Sequence, residues 1–186
     1  MTSTSVQVDW LKSKVQKLID ILDISFENNS DSTFSSNFFI ENIFLKFHQV
    51  VKQLRKRHND SETLDVKNEF DVQDLLHSLL RIHFDNVLPE EYSPSYAGVN
   101  SRIDFILPQE KIAIETKMTR KGLDRKRLVS ELNDDIAFYQ THPNCDLLYI
   151  LVYDPEERIE NPRGVELELN KKHNEMDVKL FIVPRF

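Results

Sequence analysis

Asp104, Glu115 and Lys117 are the residues whose types and spacing could do chemistry. They stand in the stretch Ser101-Arg-Ile-Asp-Phe-Ile-Leu-Pro-Gln-Glu-Lys-Ile-Ala-Ile-Glu-Thr-Lys117. Residues two apart on a strand share a face, so Glu115 and Lys117 point one way and Ile112, Ile114 and Thr116 the other. Asp104 lies on the face opposite Ile103, Phe105 and Leu107, where it can converge with Glu115 and Lys117. Two carboxylates and an ammonium amid apolar residues must be paired or must bind a cation. A hard divalent ion such as Mg²⁺ takes oxygen ligands and suits both carboxylates. A lysine beside them can orient or help deprotonate a water and offset developing charge. That set suits hydrolysis of a phosphodiester. The plainer alternative is a surface hairpin with an ordinary Glu–Lys pair of small energetic value. The apolar run Ile112-Ala-Ile114 argues instead for a buried strand.

The elements that must position these residues follow from periodicity. Val8, Leu11, Val15, Leu18 and Leu22 recur at helical steps, so a helix is predicted over Val6 to Leu22. A polar stretch, Glu27 to Asn37, reads as a loop. A second helix is expected from Phe38 to His58, with Ile40, Phe44, Phe47, Val51 and Leu54 on its apolar face. It ends in Arg55-Lys-Arg57, a solvated basic end that suits a helix C-terminus. His58 to Lys67 is polar and marks a boundary, dividing a helical region (1–60) from a second domain (61–186). Phe70, Val72, Leu75, Leu76, Leu79, Leu80 and Phe84 carry a third helix, from about Asp71. Pro89 and Pro94 bracket a polar turn. Ser101–Leu107 and Lys111–Lys117 form an antiparallel hairpin. A helix over Arg127–Gln140 and buried strands at Leu147–Tyr153 and Val178–Val183 complete an α/β fold, a mixed sheet flanked by helices.

Asp104, ten intervening residues and then Glu115-Thr-Lys117 resemble the PD-(D/E)XK nuclease superfamily. Ile103 stands where proline often precedes the aspartate, at a variable position. Asn68-Glu-Phe-Asp-Val-Gln-Asp-Leu-Leu-His77, Ser95-Tyr-Ala-Gly-Val-Asn-Ser-Arg102, Tyr153-Asp-Pro155 and Asn161-Pro-Arg-Gly164 resemble the DpnII/MboI-like restriction endonuclease group, over roughly Val66 to Pro184. The resemblance implies a restriction-endonuclease-like mixed sheet with an N-terminal helical extension. It implies Mg²⁺-dependent cleavage of DNA, with Mn²⁺ able to substitute, and products bearing 5′-phosphates. Asp104 and Glu115 would bind metal and Lys117 would act in catalysis. A further acidic residue is expected on the preceding helix. Glu69 is chosen, with Gln73 on the same face and Asp71 and Asp74 as competitors. Members of the group often act as effectors of prokaryotic restriction or anti-phage defence.

The basic cluster after the lysine holds Arg120, Lys121, Arg125, Lys126 and Arg127, and is expected to contact phosphates. Tyr139 shares a helix face with Asp135 and is placed near DNA or packed on the sheet. Cleaving two strands calls for two sites, so a homodimer is expected. The N-terminal helices are expected to complete the core, form that interface or dock a larger defence complex.

Composition removes other classes. The 186 residues carry 24 basic and 31 acidic side chains, net −7, which argues against a protein that coats DNA by charge alone. Three glycines leave no dinucleotide fingerprint or P-loop. The one cysteine, Cys145, forms no internal disulfide and no cysteine-rich zinc site. No membrane-length apolar run and no signal pattern at Met1–Val8 are present, so a cytoplasmic protein is expected. The competing functional reading is a catalytically silent nuclease-like module that binds nucleic acid or a protein partner.

Overall fold

A computed structural model describes residues 31–92, 102–143 and 145–185. The helix expected at Val6–Leu22, the first residues of the expected loop, Pro94 and the stretch 95–101 lie outside the described residues. The chain divides into two units, 1–38 and 39–186, and of the first only residues 31–38, the opening turns of a helix, are described.

The elements are α1 (Asp31–Leu54), α2 (Glu69–Leu80), β1 (Leu88–Tyr92), β2 (Arg102–Leu107), β3 (Ile112–Met118), α3 (Arg125–Tyr139), β4 (Leu147–Tyr153), α4 (Pro162–Leu169), β5 (Lys172–His173) and β6 (Met176–Val183). Six strands form one sheet in the order β1-β2-β3-β4-β6-β5. β3, β4 and β6 run parallel, while β1, β2 and β5 attach antiparallel to their neighbours. The mixed α/β sheet expected from the sequence is the architecture found.

The sheet separates two cores. On one face Ile40, Phe44, Phe47 and Val51 of α1 and Val72, Leu75, Leu76 and Leu80 of α2 pack with Phe105, Leu107, Ile112, Ile114, Tyr149 and Leu151. On the other face Leu128, Leu132, Ile136 and Tyr139 of α3 and Val165 and Leu169 of α4 pack with Ala113, Leu148, Ile150, Val152 and Leu180. From Phe39 onward α1 therefore belongs to the same compact unit as the sheet. β4 lies between β3 and β6 and is covered on both faces, which is why its sequence reads as an unbroken apolar run. Cys145 is buried beside Met176, and burial pushes its thiol up to about 12.

Four local readings need correction. Residues 31–37, expected in a loop, are helical. Ser and Asn are only mildly unfavourable inside a helix, and extending an existing helix costs far less than starting one. The same helix stops at Leu54, so Arg55-Lys-Arg57 follow it, with Arg55 3.3 Å from Asp65. Pro89 lies within β1 instead of a turn; β1 is an edge strand, where a missing N–H is tolerated. Ile103 packs in the α3 core, across the sheet from Phe105 and Leu107. Strict alternation fails there because β2 parts from β3, and this parting makes the site.

Candidate active site

Backbone pairing of β2 with β3 runs Leu107↔Ile112, Ile106↔Ala113 and Phe105↔Ile114, then ends. At the next position the Asp104 carboxylate takes the place of a ladder acceptor. Its Oδ2 accepts from the Thr116 backbone N–H at 2.8 Å and from the Thr116 hydroxyl at 2.6 Å. Its Oδ1 accepts from Gln73 Nε2 at 2.9 Å. Thr116 faces away from Glu115, as alternation requires, which frees its hydroxyl for Asp104. The opening lets both helical layers reach β3. Glu69, Phe70 and Gln73 come from α2, and Asp135, Phe138 and Tyr139 from α3. With Asp104, Glu115 and Lys117 they line a pocket of about 300 Å³.

Glu115 is 5% exposed and holds two partners. Lys117 Nζ donates to its Oε1 at 2.6 Å, and the Tyr139 hydroxyl donates to its Oε2 at 2.6 Å. The Tyr139 oxygen also accepts the Asp104 backbone N–H at 3.4 Å, so one phenol ties both carboxylate-bearing strands together. Lys117 Nζ lies 3.0 Å from Asp135 Oδ2. That oxygen is buried and has no well-directed hydrogen bond, so the ion pair alone serves it. Glu69 opens α2 and accepts the Met118 backbone N–H at 3.2 Å. Asn68 caps the helix through a capping box with Asp71, which fixes where Glu69 emerges.

The pocket therefore holds four carboxylates, Glu69, Asp104, Glu115 and Asp135, facing one ammonium. The consequence is visible in their protonation. Burial, then the neighbouring Asp104 charge, pushes Glu115 up to about 8. Burial also raises Asp104, Glu69 and Asp135 above the usual carboxylate range. Burial alone would lower Lys117, but Glu115 and Asp135 outweigh it and hold the ammonium above its ordinary value. The Tyr139 phenol is held neutral by burial and by Glu115.

The donor chemistry fits a hard dication, since unneutralised carboxylate oxygens are what Mg²⁺ takes, with waters filling the remaining positions. Among the described residues no three or more His, Cys, Asp or Glu side chains are gathered as a ready-made metal cage. A site of one or two carboxylates does not require one.

The other expected residues fall into two groups. Arg120, Lys121, Arg125, Lys126 and Arg127 are exposed and do not line the pocket. Arg120 and Arg127 pair with Glu131, and Arg125 with Glu168. Gly122 sits in this loop at φ +86°, where glycine alone is unstrained. Tyr139, expected near DNA or packed on the sheet, is 1% exposed; its ring packs in the α3 core while the residue lines the pocket. Asp71 points back to the Lys67 and Asn68 backbone, away from this role. Sequence reasoning missed the Thr116 hydroxyl, the Asp135–Lys117 pair and the two phenylalanines. For Asp135 the available signal was its place one turn before Tyr139.

A mixed sheet between two helical layers, opened at one strand pair around buried carboxylates and a lysine, defines a restriction-endonuclease-like domain. The chain matches the family model DpnII-MboI (REase_DpnII-MboI) over residues 38–185, and so belongs to the DpnII-MboI restriction endonuclease family. Membership supports endonuclease activity on DNA in general terms. No curated protein and no solved structure matched the chain. Among the described residues no helix is long and apolar enough to cross a membrane.

Proposed function

We propose that the protein is a metal-dependent endonuclease that hydrolyses phosphodiester bonds in DNA. The observation that carries this reading is the meeting of Asp104, Glu115 and Lys117 in one pocket where β2 leaves β3. Asp104 and Glu115 would hold Mg²⁺ or Mn²⁺, with Glu69 beside them. The ion would supply activation of water and neutralisation of charge at phosphorus. Glu115 and Asp135 hold the Lys117 ammonium above its ordinary value in the metal-free pocket; beside the ion it would orient the water or help deprotonate it and would offset charge on the phosphoryl oxygens. Gln73 and Thr116 fix Asp104, and Tyr139 fixes Glu115. Arg120, Lys121, Arg125, Lys126 and Arg127 would grip phosphates flanking the scissile bond, since surface ion pairs of this kind are weak enough to exchange partners. The protein would act in the cytoplasm as an effector of prokaryotic restriction or anti-phage defence, and membership of a restriction endonuclease family supports the restriction part of that reading. A homodimer would supply a site for each strand, and the N-terminal region would serve as the contact to a larger complex.

The test is purified protein with plasmid DNA and Mg²⁺, run beside EDTA and Lys117→Ala controls. Metal-dependent nicking or linearisation, lost in Lys117→Ala, is expected. Cleavage that persists in that variant refutes the site, and no cleavage with either Mg²⁺ or Mn²⁺ favours the silent module.

A further inference from the structure

The apolar pattern of α2 counts Phe70 with the core, yet Phe70 keeps 63% of its surface exposed. Val72, Leu75, Leu76 and Leu80 form the buried stripe, and Phe70 is off it. It lies three residues before Gln73, on the face from which Gln73 reaches Asp104. Exposure alone is ordinary: Ile82 and Leu167 are more exposed still. Location is what distinguishes Phe70, since it lines the same pocket as Asp104, Glu115 and Lys117. Phe138 lines it from α3 and is backed edge-on by Tyr139, with ring centroids 5.6 Å apart. One wall is thus a supported ring and the other a solvent-exposed ring, both beside the candidate hydrolytic groups.

Neither ring can bind a phosphate or a metal, and neither carries a hydrogen-bonding group. What a flat apolar face offers to a nucleic acid is stacking, which tolerates any base because every base has a π-face. We infer that Phe70, with Phe138 as the opposite wall, stacks on a nucleobase adjoining the scissile phosphate. The inference rests on the nuclease reading and adds to it a substrate state. The base next to the cut is unstacked from its own strand when the phosphate reaches Lys117. Phe70 is then a substrate-positioning residue.

The experiment uses the full chain with Mg²⁺ and a DNA duplex whose scissile bond has been located from the wild-type products. Matched duplexes carry an abasic nucleotide on one side or the other of that bond. Phe70→Ala is expected to lower kcat/KM on the intact duplex roughly ten- to a hundred-fold. Phe70→Trp is expected to restore it. On the abasic duplex that removes the stacked base, wild type and Phe70→Ala are expected to cleave equally, because the partner of the ring is gone. A loss by the same factor on every duplex, or no loss on the intact one, overturns the inference. Unchanged far-ultraviolet circular dichroism and Tm separate either result from misfolding. Absence of metal-dependent cleavage by the wild type removes the nuclease reading itself, and the inference with it.

Discussion

Glu115→Gln should make the metal-free protein more stable at alkaline pH, at the expense of its activity. Burial and the neighbouring Asp104 charge push Glu115 up to about 8 in the folded protein, from an ordinary value of 4.5. Between those limits the folded state binds more protons than the unfolded chain, so stability falls as pH rises. A rise from 4.5 to about 8 corresponds to at most ~5 kcal/mol. Burial of Asp104, Glu69 and Asp135 adds slope of the same sign. Lys117 remains charged throughout and adds none. Glutamine keeps the shape and removes the charge, but Lys117 then loses a partner at 2.6 Å and keeps only Asp135 at 3.0 Å. The net gain at pH 9 should therefore be nearer ~2 kcal/mol, or a Tm higher by about 4–8 °C for a chain of this size. Near pH 5 the two proteins should melt together. Thermal unfolding in EDTA at pH 5, 7 and 9 measures this. A glutamine variant that melts below the wild type at pH 9, or a wild-type Tm that does not fall between pH 5 and 8, would refute the reasoning. Added Mg²⁺ should raise the wild-type Tm and leave that of the variant unmoved.

Tyr139→Phe deletes the hydroxyl that donates to Glu115 and accepts from the Asp104 backbone. It should cost about 1–3 kcal/mol in urea unfolding and lower cleavage, since a buried acceptor loses its donor; equal stability would show that the phenol does not hold the strands. Asp154→Ala removes the acceptor for the Thr119 hydroxyl at 2.6 Å and for the Arg158 and Ile159 backbone N–H groups at 2.9 Å. Stranding these donors should cost at least ~3 kcal/mol, read as a lowered urea midpoint, and a loss below ~1 kcal/mol would refute the assigned role.

The legible parts of this protein were those in which local pattern and tertiary environment agree. β4 is apolar throughout because both of its faces are covered, and the hairpin alternates over Phe105–Leu107 and Ile112–Ile114, where the two strands are still paired and separate two environments. The misread parts are those decided by a neighbour distant in sequence. α4 begins with Asn161 as cap and Pro162 at the first turn, yet its eight residues include the buried Glu166. A glutamate there looks unfit for a core until the Ile182 backbone N–H and Arg185 meet it. Asp135 resembles a solvent-facing residue until Lys117 arrives from β3. Phe70 resembles a core residue until the opening of the sheet places a pocket beside it. Asp135 and Phe70 depart from local expectation in opposite directions, a charge half-buried and an aromatic exposed, and both departures fall on one pocket. A structure that tolerates both costs in one place is spending stability on that place, and chemistry on a ligand is what such a concentration of misfits most directly explains.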